Sequence, residues 1–471
     1  MASQDEKTNS YPNKLSPLEE FKYSISEILK SPRELHILYL INLSLSFQYY
    51  LITTLIPLFF TDIQEFSDLL SGTIFGFYGI SLGLGAIILN PLANRFGLKF
   101  GLSISCIFGL IGFLLLAVTY NLSVNLVSVL TFQTISGALA WPVVEFGIKI
   151  YTRQDHRNFA NSLCLMSNYL AGVLTGFYID IVWHYYEDDK HTLYKIFFYT
   201  GAGFAFFALI LALVLRQNEV IEDGYLCDEN IGELSKKIVS KKRFWRFFAL
   251  ICLLILLRSG CFGHLDATFP KYVTRTLGDD AHFGYLLAVH QTTMLIGVIF
   301  FTYFTYIYSS YTLICIGGIV GTLAPLLILG GSNYGIYAIF VILISCGEAL
   351  WVPRLLDYTM SIAPNKEEGV YLALCNFPFY FAMIITGIAS GILLDEYCPD
   401  EDNAGECYKV WLIIVFSTIL VPILIWILRN ILEQPDYEDK PYLKCFEDSK
   451  DLSKDNDEIK DKEGLLKNSN D

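Results

Sequence analysis

Apolar residues in this chain come in long blocks, separated by short clumps of polar ones, rather than at the spacing of a half-buried helix or strand. The blocks run to about 20 residues, the length a helix needs to cross about 30 Å of hydrocarbon. Twelve are expected, at 35–60, 71–91, 99–119, 124–150, 159–182, 193–215, 244–274, 283–306, 310–330, 335–360, 369–393 and 409–430. Ser31-Pro32-Arg33-Glu34 reads as the first helix start, with Ser31 as cap and Pro32 in the first turn. The predicted class is an all-α integral membrane protein of twelve transmembrane helices. The first thirty residues are polar and charged with no apolar core, so no cleavable signal is expected.

Composition agrees: 54% hydrophobic and 17% charged residues, with mean hydropathy +0.45, set the chain apart from soluble domains. A net charge of −14 argues against a nucleic-acid partner. The sequence holds no nucleotide-binding glycine loop, metal-ligand spacing or nucleophile motif, so neither an enzyme nor an ATP-driven pump is expected, and no cofactor or metal. Lysine and arginine set the orientation. With a cytoplasmic N-terminus, the inward loops hold Arg95 and Lys99, then Arg153 and Arg157, then Lys236, Lys237, Lys241, Lys242 and Arg243. The outward loops are short or acidic, as at Glu187-Asp188-Asp189, Asp279-Asp280 and Asp400 to Glu406. By the positive-inside rule both termini are cytoplasmic. The basic run from Lys236 to Arg246 suits an anionic inner leaflet. Cys398 and Cys407 share the outward loop between spans 11 and 12 and can pair in an oxidising compartment. Asn121-Leu122-Ser123 is a glycosylation sequon, placed very close to the bilayer.

An internal repeat predicts the architecture. Pro142 and Pro353 differ by 211, as do Cys164 and Cys375, Tyr169 and Tyr380, Thr175 and Thr386, and Gly176 and Gly387. Asp68/Asp280, Gly72/Gly284 and Gly85/Gly297 differ by 212, and Pro57/Pro270 by 213. Each span is thereby paired with the span six later, which predicts two pseudo-repeated six-helix halves around a central cavity. The expected segments are 1–34 (cytoplasmic), 35–215 (first half), 216–243 (linker), 244–430 (second half) and 431–471, an acidic tail with seven lysines against thirteen acids that is expected to be disordered.

The loop between spans 2 and 3, NPLANRFGLKFGL, resembles the G-x-L-a-D-R-f-G-r-k motif of the major facilitator superfamily through Arg95, Phe96, Gly97 and Lys99. Asn90 and Asn94 replace the motif's first glycine and its aspartate. Span 10 is similar to that of the proton-coupled oligopeptide transporter branch, with Gly347, Glu348, Pro353, Ala363 and Pro364 in place. The branch's first-span signature E-x-x-E-R-F-x-Y-Y is met only by Phe47, Tyr49 and Tyr50, with Asn42, Leu45 and Ser46 where its charges stand. The resemblance implies a transporter fold in which spans 1, 4, 7 and 10 line the cavity, and peptide-like solutes come into consideration.

Candidate chemistry lies in spans 10 and 7. GEALWVPRLL places Glu348 near mid-membrane, where a carboxylate faces a cavity and has a partner. Burial raises a carboxyl pKa and a nearby cation lowers it, so such a group can take a proton on one side and release it on the other. The alternative is a hydrogen bond that only ties helices together. Span 7, LLRSGCFGHLDATFPKYVTRTLG, puts Arg258 near the midplane, as a solute anchor or a counter-ion of Glu348. His264 and Asp266 follow as further proton-coupling candidates, or as a polar network. At helical spacing His264 and Lys271 share a face, with Asp266 to one side. Gln48, Tyr49 and Tyr50 of span 1, with Tyr169 and Tyr380 of spans 5 and 11, are solute-binding candidates; with 30 tyrosines in the chain, ordinary packing competes. His290 of span 8 has a weaker claim.

Gating candidates are the kink prolines Pro142 and Pro353, the pairs Arg354/Asp357 and Glu145/Lys149 at spacings of three and four, and the loop residues Arg95 and Lys99. Each pair can instead be an intrahelical bridge. In the tail, Asp461, Leu465 and Leu466 resemble an acidic dileucine signal read by clathrin adaptors, so plasma or endosomal/lysosomal membrane is the expected location. The expected function is a secondary active, proton-coupled transporter, working by alternating access on a small polar or anionic solute. The alternatives are a sugar or nucleoside uniporter and a non-transporting receptor or scaffold of the same fold.

Overall fold

The computed structural model describes residues 30–152, 157–186, 188–216, 239–278, 281–305, 308–363, 371, 374–399 and 406–435. Twelve helices are long and apolar enough to cross a membrane: Arg33–Asp62, Asp68–Leu89, Leu98–Val118, Leu122–Ile148, Ala160–Tyr186, Lys190–Val214, Lys242–Ala267, Phe283–Phe301, Ser310–Gly330, Tyr334–Ile362, Phe377–Tyr397 and Tyr408–Ile427, spans 1 to 12. Each falls on one of the expected apolar blocks. Several begin at a side-chain cap: Asn121, Asp189, Ser309 and Asn333 accept from the backbone N–H three residues on. The sequon asparagine therefore serves as a helix cap. Span 1 departs from expectation by one residue: Pro32, not Ser31, holds the cap position, and no side chain caps the helix. Phe77, Ile88, Val118, Leu213, Phe416 and Ile427 stand exposed on the outer surface, as suits helices whose solvent is hydrocarbon.

The spans form two six-helix halves. In the first, span 1 packs on spans 4, 5 and 6, and span 3 on spans 4 and 6; in the second, span 10 packs on spans 8 and 9, and span 11 on span 7. One face of the molecule, the terminal face, carries the chain ends. There Tyr151 donates to the carbonyl of Arg216 at 3.1 Å, Lys99 to that of Leu213 at 2.6 Å, and Arg243 to that of Pro435 at 2.5 Å. On the opposite face Gln64 donates to the Tyr120 carbonyl and Tyr120 to that of His191.

The halves meet through spans 2 and 11 and through spans 5 and 8. Glycine permits both crossings. A Cβ on Gly72 would stand 2.1 Å from the carbonyl oxygen of Gly387, and one on Gly284 would stand 2.5 Å from that of Gly176. Nearby, on the face away from the termini, Asp68 of span 2 bonds Lys271 at 2.6 Å and Arg275 at 2.7 Å, both beyond the break in span 7. Asp395 of span 11 accepts from the backbone N–H of Leu69, and Asp180 of span 5 meets His282 at 2.7 Å. The molecule is closed on that side. Toward the terminal face Glu145 of span 4 and Asp357 of span 10 are exposed, which points to a cleft between the halves on that side.

Candidate functional site

Span 7 is not one helix. Its α-helical stretch Lys242–Leu257 passes into a π-helical turn, Arg258–Phe262, then a short helix His264–Ala267, and restarts at Phe269–Leu277. The turn is closed by a 2.8 Å bond from the Gly263 N–H to the Arg258 carbonyl, five residues back. Polar backbone freed at depth must be answered by neighbours. Span 11 does so: Thr386 donates to the Ser259 carbonyl at 3.0 Å, and Ser390 to that of Ala267 at 3.2 Å.

Arg258 opens the π-turn. Its Nη1 donates to Oε1 of Glu348 on span 10. Its guanidinium lies 5.0 Å from the centre of the Phe379 ring, a cation–π position. The second carboxylate oxygen of Glu348 faces Nε2 of His290 at 3.8 Å, while Nδ1 of His290 shares a hydrogen bond with Ser345 Oγ at 2.7 Å. Glu348 is only 6% exposed. The two charges that the sequence marked near mid-membrane thus meet, with a histidine third that its position alone did not promote.

The π-turn also sets the phasing of span 7. In an α-helix of 3.6 residues per turn, Asp266 would sit about 80° round from Arg258. A π-turn inserts one residue, so eight positions act as seven, and Asp266 returns to within about 20° of two whole turns. It lies within electrostatic reach of Arg258 and Glu348. His264 turns the other way: it is buried, bonds Thr268 Oγ1 at 2.6 Å, and continues through Thr268 to Ser390 at 2.7 Å. Lys271, expected on the face of His264, reaches Asp68 instead.

The tyrosines frame the same space. Tyr49 and Tyr50 stand edge to face, ring centres 5.7 Å apart. Tyr49 lies in the field of Asp266, Arg258 and Glu348, Tyr50 in that of Asp266 and Glu348, and Tyr169 in that of Glu348 and Arg258. Tyr380 neighbours Tyr49 and Glu145. Tyr78, within electrostatic reach of Tyr49 and Tyr380, carries no signal in the sequence beyond an aromatic inside the glycine-rich stretch of span 2. Gln48 is placed elsewhere. It is buried, donates to the Ser44 carbonyl at 3.1 Å, and packs against Gly109 of span 3 within the first half.

Nearer the terminal face, Arg354 bonds Asp357 at 3.0 Å and Thr305 at 3.2 Å. Glu145 accepts from Trp141 Nε1 at 2.7 Å. The side chains of Lys149 and Arg95 lie outside the described residues, as do Asp461, Leu465 and Leu466. Pro142 and Pro353 stand inside the helices Thr134–Tyr151 and Tyr334–Ile362. Cys398 and Cys407 are joined by a disulfide, and the Cys398 carbonyl accepts from Arg275 at 2.7 Å.

The chain is 23% identical to Multidrug resistance protein 1 of Bacillus subtilis (strain 168) over 363 residues, 71% of this chain and 90% of that one. Among solved structures it is similar to the peptide transporter POT in complex with sulfate, with a TM-score of 0.68 at 13% identity, covering 85% of this chain and 95% of the other. The nucleoside transporter NupG matches with a TM-score of 0.63 at 16% identity, covering 84% and 98%. At such identities these two establish the fold alone. The family model of the Major Facilitator Superfamily matches residues 38–387. The chain belongs to the Major Facilitator Superfamily, a family of membrane transporters and not of enzymes.

Proposed function

We propose that this protein is a secondary active transporter that moves a small polar solute by alternating access and couples it to protons through Glu348. The observation that carries this reading is the buried Arg258–Glu348 pair, set where the halves meet the cleft, with His290 against the second carboxylate oxygen. An ionised Glu348 is held by Arg258 as an ion pair; a protonated one offers only a weaker, neutral acceptor. Proton uptake therefore weakens the hold on Arg258 and loosens span 10 from the π-turn of span 7, just ahead of the short helix His264–Ala267 that packs on span 1. A carboxylate without its cation is costly at that depth, so solute and proton states are linked to which arrangement of the spans is stable.

The break in span 7 supports the conformational half of the reading. Lys271 and Arg275, which hold Asp68 across the closed face, sit on a helix segment separate from that of Arg258. That segment can swing away from span 2 while the π-turn stays packed on span 11. The Arg354–Asp357 pair, together with Glu145, Lys149, Arg95 and Lys99, supplies the proposed closing contacts toward the terminal face. The lysine and arginine bias places both termini in the cytoplasm, which makes the present state inward-open. The tail residues Asp461, Leu465 and Leu466 support sorting by a clathrin adaptor to the plasma or endosomal/lysosomal membrane.

The test uses protein in liposomes that enclose a pH-sensitive dye, under an imposed pH gradient and a panel of small polar solutes. Solute-dependent proton movement in the wild type that disappears in Glu348→Gln is the expected result. Solute uptake with no proton signal would overturn the coupling and leave a uniporter.

A further inference from the structure

Mutual neutralisation of Arg258 and Glu348 does not exhaust the charge in the cleft. Asp266, brought back toward the face of Arg258 by the π-turn, is partly accessible, and its carboxylate has no hydrogen-bond or ion-pair partner among the described residues. With both carboxylates ionised and His290 neutral, the cluster holds one positive and two negative charges, +1 − 2 = −1. A net negative charge walled by low-dielectric protein concentrates cations from the surrounding water.

The walls say which cation. The short helix His264–Ala267, which carries Asp266, packs on span 1, where Tyr49 and Tyr50 stand edge to face with ring centres 5.7 Å apart, within electrostatic reach of Asp266. Aromatic faces are electron-rich and favour bulky, weakly hydrated organic cations. A small inorganic cation instead needs several converging oxygens. Among the described residues no group of three or more histidine, cysteine, aspartate or glutamate side chains could hold a metal ion. Arg258 is already engaged by Glu348, so its charge is answered within the cluster before any anionic group arrives.

We infer that Asp266 binds the ammonium group of an organic solute, with Tyr49 and Tyr50 packed against its substituents. The solute class is therefore cationic amines rather than anions. This inference rests on the reading of the cleft as a transport path, and gives that path its specificity residue. In a superfamily transporter the cleft alternates between the two sides, so Asp266 meets the solute from either one.

The experiment is binding to purified protein in detergent, with no gradient present, read by calorimetry. The probes are phenethylamine, its trimethylammonium derivative, phenethyl alcohol and phenylacetate. The two cations are expected to bind about tenfold or more tighter than the alcohol and the anion, the scale of a desolvated ammonium–carboxylate contact with aromatic support. Asp266→Asn is expected to weaken both cations by about tenfold or more, and Asp266→Glu to restore most of that loss, which separates charge recognition from misfolding. Cations that bind no better than the alcohol, tightest binding of phenylacetate, or Asp266→Asn with unchanged cation affinity would each overturn the inference. Coupling is read separately in sealed liposomes: cation binding without proton movement removes the proton role of Glu348 and leaves Asp266 as the ammonium site, while proton movement driven by an anion does the reverse.

Discussion

A carboxylate at mid-membrane depth persists only where its charge is answered, and Arg258 answers Glu348. Removing one partner leaves the other uncompensated, whereas removing both takes away the desolvation cost with the attraction. Arg258→Met is therefore expected to destabilise the protein by about 2 kcal/mol, below the about 3–5 kcal/mol of a fully dry pair because Arg258 borders the cleft. Arg258→Met combined with Glu348→Leu should recover most of that loss, and thermal unfolding of the wild type and the two variants in detergent checks the pattern. At this scale the sequence was partly legible. Ionisable residues inside apolar blocks announce themselves, which is why Glu348 and Arg258 stood out before any coordinates. His290 did not, because a single histidine in a span is as consistent with packing as with chemistry until its neighbours are known. Gln48 misled for the opposite reason: a polar side chain next to two tyrosines shared their position in the chain but not their side of the helix.

Helices carry a second layer of meaning that residue types do not show. The offset of the internal repeat is 211 between spans 5 and 11 but 213 at Pro57 and Pro270. Hydrogen bonds explain the drift. Thr175 reaches the Phe47 carbonyl at 3.5 Å, and its repeat mate Thr386 reaches that of Ser259, so the offset is still 212 there. The added residue enters span 7 between Ser259 and Pro270, where the π-turn lies. The insertion was thus visible in the numbering, but a 3.6-residue period gives no sign that Asp266 returns to the face of Arg258. Thr386→Val keeps the shape while leaving the Ser259 carbonyl unanswered. It is expected to cost about 1 kcal/mol, a typical net hydrogen bond, with Thr386→Ser recovering most of it in the same unfolding measurement. A contrasting effect is expected at Gly387, where an added methyl meets the backbone of Gly72 and no side chain can yield. Gly387→Ala should separate spans 2 and 11 and favour the state that opens away from the termini, seen as a lengthened distance between spin labels at Leu70 and Glu396.

Across the whole molecule the pseudo-symmetry does the structural work. Gly72 repeats as Gly284 and Gly176 as Gly387, and the contacts join Gly72 to Gly387 and Gly284 to Gly176. A two-fold relation requires that exchange: if a residue touches the mate of a second, its own mate touches that second. The repeat was legible as a column of equal offsets; that these glycines were the crossing points was not, because an offset says nothing about which spans meet. Charge closes what glycine brings together. Asp68→Asn would leave Lys271 and Arg275 without their carboxylate. The same pair of spin labels should then report a larger share of molecules open on that face.

The central claim is that a proton on Glu348 drives the solute. The most direct measurement compares two assays in one liposome preparation of Glu348→Gln, counterflow exchange of labelled solute and accumulation driven by a pH gradient. Exchange needs the spans to alternate but needs no net proton movement, whereas accumulation needs both. Exchange retained with accumulation lost is the predicted result. Accumulation at the wild-type level in Glu348→Gln would contradict the claim.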